Sequence, residues 1–128
     1  MNNIIIVIPT LNEKENIKIL FNKLTETNIE FDLLFIDDNS NDGSQEIIKN
    51  LLKKNQNINC IYRPKKMGIG SAHKEALIWS YKKNYKIIIT MDADGTHDPK
   101  HIKLLIKKLD KKAQNLYFHF QKSRLSNE

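Results

Sequence analysis

Ile4-Ile5-Ile6-Val7-Ile8 is an unbroken β-branched run that stops at Pro9. A run of that kind predicts a strand covered on both faces. Ile17, Leu20, Phe21 and Leu24 then recur at helical spacing, which predicts a helix starting near Glu13. Leu33-Leu34-Phe35-Ile36 is a second buried strand, halted by Asp37-Asp38-Asn39-Ser40. Ile47, Ile48, Leu51 and Leu52 form the next helical stripe, with Ser44 or Asp42 as its N-cap. Ile58 to Tyr62 predicts a short third strand. After a loop holding Gly68 and Gly70, a helix carries Ala72, Ala76, Leu77, Ser80 and Tyr81 on one side. Tyr85 to Met91 predicts a fourth strand. Pro99 suits the first turn of a last helix, striped by Ile102, Leu105, Ile106 and Leu109. Leu116, Phe118 and Phe120 alternate as a fifth strand would.

Strand and helix alternate four times, which predicts an α/β fold with a mainly parallel sheet and flanking helices. Ligands of such sheets bind outside the carboxyl ends of the strands. Those ends carry Pro9 to Glu13, Asp37 to Ser40, Arg63 to Gly70 and Asp92-Ala93-Asp94, so polar and acidic groups converge on one edge.

The chain has 128 residues, 40% hydrophobic and 28% charged, enough for one domain. No apolar run approaches the roughly 20 residues of a membrane span, and none resembles a secretory h-region. The single cysteine, Cys60, excludes an internal disulfide, fits a reducing compartment, and is expected to act as a small buried strand residue. A cytoplasmic location is the expectation. The net charge of +6 is uneven: residues 1–99 hold 13 basic and 13 acidic side chains, and residues 100–128 hold 8 and 2. Lys100, Lys103, Lys107 and Lys111 lie opposite the apolar stripe of the last helix, a solvated face or one attracted to an anionic bilayer. No nucleic-acid partner is expected.

Met91-Asp92-Ala93-Asp94 carries the sharpest chemistry. Two carboxylates one residue apart, directly after a hydrophobic strand, can hold a hard cation with an open face, Mg2+ or Mn2+, which then bridges to phosphate oxygens. Asp37-Asp38 is a second acidic pair. It accepts hydrogen bonds either from a base or ribose or from an Asx-type turn. Gly68-Ile69-Gly70 permits close backbone approach, although it does not complete a dinucleotide fingerprint. Arg63, Lys65 and Lys66 beside it read as solvated charge or phosphate ligands. His97 and His101 lack a third ligand for zinc.

Together, Val7-Ile8-Pro9-Thr10-Leu11-Asn12-Glu13, Ile36-Asp37-Asp38-Asn39-Ser40, Gly68-Ile69-Gly70-Ser71-Ala72 and Met91-Asp92-Ala93-Asp94 resemble the family-two glycosyltransferases, closest to the dolichol-phosphate mannosyltransferase-like branch. The resemblance implies a GT-A fold (Rossmann-like) binding a nucleoside-diphosphate sugar, GDP- or UDP-linked. It places Pro9, Leu11 and Glu13 at the nucleoside, and Ile36 and Asp38 at the base. Asp92, Ala93 and Asp94 fall at the ribose, diphosphate and metal, with Asp92 and Asp94 the catalytic and metal-holding pair. Arg124, in a Ser-Arg pair after the fifth strand, would approach the donor phosphates. Thr96 stands where some relatives carry Gln, and Leu11 replaces an aromatic common in relatives. The implied acceptor is a polyprenyl phosphate at a membrane surface, with the protein peripheral on the cytoplasmic face.

Relatives continue well past this length. Residues 1–128 are therefore expected to form a single donor half of a GT-A domain, incomplete at the C-terminus. The alternative from another class is a nucleotide-binding fragment without turnover. A third reading takes Asp92-Ala93-Asp94-Gly95-Thr96 as the first motif of a haloacid-dehalogenase-type phosphatase, but only 34 residues follow Asp94, too few for that family's later elements.

Overall fold

The computed structural model describes residues 2–95, 98–109 and 116–119. Nine elements alternate: β1 (Ile4–Thr10), α1 (Lys14–Thr25), β2 (Asp32–Asp37), α2 (Ser44–Lys54), β3 (Ile58–Tyr62), α3 (Ile69–Lys82), β4 (Ile87–Thr90), α4 (Pro99–Leu109) and β5 (Leu116–His119). The strands form one sheet in the order β3-β2-β1-β4-β5, every neighbouring pair parallel. Phe120, Thr96, His97, Lys111 and Arg124 lie outside the described residues.

Successive strand residues point to opposite faces, so an unbroken apolar run feeds two cores at once. Ile4, Ile6 and Ile8 join Leu33, Phe35 and Ile89 in the larger core, which also takes Ile17, Leu20 and Leu24 of α1, Ile48 of α2, and Ile102 and Ile106 of α4. Ile5, Val7, Leu34, Ile36 and Ile88 face the other way, against Ala72 and Ala76 of α3. The small side chains Ala72, Ala76 and Ser80 repeat every four residues and form the buried row of α3. Tyr81, expected on that row, is 72% exposed, because one step beyond Ser80 turns it about 100° around the helix.

β4 is shorter than the hydrophobic pattern predicts. The amides of Lys86 and Ile87 both donate to the Asn3 carbonyl, at 2.9 and 3.1 Å, so regular pairing begins only at Ile87. Tyr85 turns inward before it. Its hydroxyl donates to Asp32 Oδ2 at 2.5 Å, and Asn2 Nδ2 donates to Oδ1 at 2.9 Å, tying the amino ends of β1, β2 and β4 together. Burial, with the Asp32 carboxylate alongside, pushes the phenol above its ordinary pKa. Tyr85→Phe removes a buried bond to a charged acceptor and is expected to cost about 2 kcal/mol, read as a lower urea midpoint.

α2 starts at Gly43, whose φ of +102° lies in the left-handed region. Gly43 takes the N-cap place expected of Ser44 or Asp42 and makes no side-chain cap bond; Asp42, just before it, receives on Oδ1 the Ser44 amide at 2.9 Å and the Ser44 hydroxyl at 2.6 Å. Cys60 is half-buried in β3, and burial pushes its thiol up to about 12, which keeps it protonated and poorly nucleophilic.

Candidate functional site

In the parallel sheet every crossover leaves from the same edge. β1 leads to β2 on one side, whereas β4 pairs with its other side, and the chain diverges between them. Such a switch point leaves a crevice at the carboxyl ends. A cavity of about 400 Å³ lies there. Pro9, Thr10, Leu11 and Glu13 line it from β1 and the loop that follows, and Asp38 from the end of β2. Lys66, Gly68, Ile69 and Ala72 enter from the segment leading into α3, and Asp92, Ala93 and Asp94 from the end of β4.

Seven of the residues that the resemblance placed at the donor site share one cavity: Pro9, Leu11, Glu13, Asp38, Asp92, Ala93 and Asp94. Ile36 does not line it. Its side chain is fully buried with the α3-facing core, since the strand alternation that brings Asp37 to one face sends Ile36 to the other.

The acidic pair at the end of β2 divides its work. Asp37 is 0% exposed and spends its oxygens on protein donors: Oδ1 accepts from Thr10 Oγ1 and Ser40 Oγ, both at 2.6 Å. Its Oδ2 accepts from the Ser40 amide at 2.8 Å and Gln45 Nε2 at 2.9 Å. This is the turn role that the sequence left open against ligand binding. Asp38 meets the cavity, and its carboxylate also receives the amides of Met67, at 3.0 Å, and Gly68, at 2.9 Å.

Hydrogen bonds stitch the loops after β1 and β2 together. The Asn12 amide donates to Ser40 Oγ at 2.8 Å, the Asn41 amide to Asn12 Oδ1 at 3.0 Å, and the Glu13 amide to Ser44 Oγ at 2.9 Å. Asn12 and Asn39 have φ of +54° and +62°, a region Asn tolerates better than most residues. The walls carrying Leu11, Glu13 and Asp38 are thus fixed before any ligand arrives. Sequence reasoning missed Ser40 and Ser44 as links between two loops, and it left Arg63 as solvated charge or a phosphate ligand, neither of which is a buried role. Arg63 is 2% exposed.

Among the described residues, Glu13, Asp38, Asp92 and Asp94 give the lining four carboxylates against the one ammonium of Lys66. A diphosphate entering such a lining meets net repulsion unless a cation accompanies it. Asp92 is half-buried and Asp94 exposed, on the two sides of buried Ala93. Two carboxylates on one short loop suit Mg2+ or Mn2+, which keep waters and substrate phosphates in the remaining positions. Among the described residues no cluster of three potential ligands forms a closed metal cage.

The profile described as Glycosyl transferase family 2 matches residues 5–127. The chain is 29% identical over 107 residues to polyprenol monophosphomannose synthase of Mycolicibacterium smegmatis, covering 83% of this chain and 40% of that protein. It is 33% identical over 109 residues to dolichol-phosphate mannosyltransferase of Saccharomyces cerevisiae, covering 81% of this chain and 40% of that protein. The chain thus spans well under half the length of these relatives. Among solved structures, the mannosyltransferase PcManGT from Pyrobaculum calidifontis, in complex with GDP-Man and Mn2+, superposes with a TM-score of 0.64 at 18% identity, over 72% of this chain and 27% of that one. Staphylococcus aureus TarS superposes at 0.63 and 19% identity, over 82% and 19%. The fold is of the GT-A type. The match also sets aside the phosphatase reading of Asp92. By its sequence, the chain belongs to glycosyl transferase family 2.

Proposed function

We propose that the cavity binds a nucleoside-diphosphate mannose together with Mg2+ or Mn2+, and that the sugar passes with inversion to a polyprenyl phosphate. The observation that carries this reading is the meeting of Asp92 and Asp94 with Leu11, Glu13 and Asp38 in one cavity. The names of the relatives, with the GDP-Man and Mn2+ held by PcManGT, favour mannose and guanine within it.

Pro9, Leu11 and Glu13 hold the nucleoside against the β1 wall, Asp38 accepts from the base, and Lys66 stands beside the phosphates. Asp92 and Asp94 would hold the cation, which when bound would supply positive charge against the negative charge that grows on the departing diphosphate. An acceptor phosphate oxygen attacks the anomeric carbon as the sugar–diphosphate bond breaks, which inverts that centre. A lipid phosphate is already anionic near neutral pH, so this acceptor needs no general base from the protein.

Among the described residues no helix is long and apolar enough to cross a membrane. α4 instead presents exposed Lys100, Lys107 and Lys108 with Leu104, 60% exposed, among them. A basic face with an apolar centre is attracted to an anionic bilayer, where a lipid-phosphate acceptor resides.

Calorimetric titration of the purified chain with GDP and UDP, with and without Mn2+, tests the donor site. Mn2+-dependent binding of GDP, with UDP weaker, is the expected result; a folded chain that binds neither nucleotide overturns the reading. Leu11→Tyr adds a stacking surface at the nucleoside wall and is expected to tighten GDP about fivefold, near 1 kcal/mol. An unchanged Kd in that titration would remove Leu11 from the nucleoside wall.

A further inference from the structure

We propose that Arg63 is a positioning residue for the base end of the cavity, acting through Gly68 and Asp38 without touching the ligand itself. The inference rests on the nucleotide reading above and adds a determinant of base affinity to it. Arg63 follows β3, and its amide donates to the Asp37 carbonyl at 2.9 Å, which seats it beneath the acidic pair. Its guanidinium then reaches three places. Nη1 donates to the Gly68 carbonyl at 3.3 Å, and Nη2 donates to Ser71 Oγ at 2.5 Å in the first turn of α3. Nε lies 3.5 Å from Asp38 Oδ1 and 3.7 Å from Glu75 Oε1.

Gly68 is therefore gripped from both sides. Its amide donates to Asp38 at 2.9 Å, while its carbonyl accepts from Arg63 and from the Ala72 amide. Its φ of +96° is a conformation that a side chain would strain, so Gly permits the double grip. Asp38, Gly68 and Ala72 all line the cavity, whereas Arg63 does not. The planar fork of arginine spans these partners together; the point charge of lysine cannot. Arg63 thus holds the Gly68 segment whose amide donates to Asp38, and through that segment it orients the carboxylate that meets the cavity.

A purely structural ion pair would affect every ligand alike. A positioning residue at the base end affects the nucleoside and spares the diphosphate. The test compares GDP with inorganic pyrophosphate, each with Mn2+, in calorimetric titrations of the native chain, Arg63→Lys and Ser71→Ala. Arg63→Lys is expected to weaken GDP by about tenfold or more and leave pyrophosphate within about twofold. Ser71→Ala, at an exposed position that spares the core, is expected to weaken GDP about threefold with the same selectivity. Parallel loss of both ligands, or unchanged GDP affinity in Ser71→Ala, overturns the inference even if Arg63→Lys does not fold. Native binding of GDP with unaffected variants overturns this inference alone; no GDP binding by the native chain overturns the donor-site reading and this inference with it.

Discussion

Asp94→Ala is expected to abolish the Mn2+ dependence of nucleotide binding while leaving the fold intact. Asp94 is exposed, stands outside both cores, and lines the cavity from the loop after β4. A substitution at such a surface position ordinarily changes stability by no more than about 0.5 kcal/mol. Its effect on binding is of another size. Among the described residues, Asp92 and Asp94 are the carboxylates of that loop that line the cavity, so losing one leaves the cation a single such ligand, and a drop in nucleotide affinity of at least about 100-fold follows. The repulsion between the diphosphate and the other three carboxylates then goes uncompensated. Titrations with and without Mn2+ measure the loss, and a thermal melt checks the fold. Mn2+-dependent affinity retained by the variant would take Asp94 out of the metal site.

The second large effect falls on the neighbouring acidic pair and has the opposite character. Asp37→Ala is expected to cost about 3–5 kcal/mol of folding stability, because it strands several buried donors at once. Thr10 Oγ1, Ser40 Oγ and the Ser40 amide lose their acceptor in a buried environment, and the half-buried Gln45 Nε2 loses one as well. For a chain of this size the melting temperature should fall by roughly 10–20 °C. Ser40 also receives the Asn12 amide, so the wall holding Leu11 and Glu13 loosens with it. A melt within about 3 °C of native would show that these donors find other partners in the variant. The two aspartates of the pair would then be separable by measurement: Asp37 by its melt, Asp38 by its nucleotide affinity.

The element order was legible in the chain because each strand is a solid apolar block and each helix a stripe at helical spacing. Parallel pairing followed from the alternation. The extent of β4 was not, because Tyr85 and Met91 are as apolar as the strand between them. What ends the regular ladder is a pair of amides converging on the carbonyl of Asn3, a residue 83 positions before Lys86. Tyr81 was misplaced for a related reason: an aromatic at the edge of a stripe fits either side, and the small Ala72, Ala76 and Ser80 decide which row meets the sheet.

At the site, the convergence of Pro9, Leu11, Glu13, Asp38 and Asp92 to Asp94 could be anticipated, since each lies at or just after the carboxyl end of a strand. The division of labour between Asp37 and Asp38 could not. It depends on which face each residue takes and on donors that lie far away in sequence, at Thr10 and at Met67 and Gly68. The burial of Arg63 was not legible because Lys65 and Lys66 follow it, and lysines on a loop are ordinarily solvated; its guanidinium meets Gly68, Ser71, Asp38 and Glu75, partners that only the fold assembles.

The position of β1 between β2 and β4 has a consequence for how the chain is made. Val7 pairs with Leu34 on one side and with Thr90 on the other. During synthesis, at about 5–20 residues per second, β1 finds its first neighbour early and then waits several seconds for the second. Throughout that interval the other side of Ile4-Ile5-Ile6-Val7-Ile8 is a bare edge of β-branched residues, with no charge within it to discourage pairing with another nascent chain. The strand that later anchors both cores is thus a segment exposed to misassembly at birth.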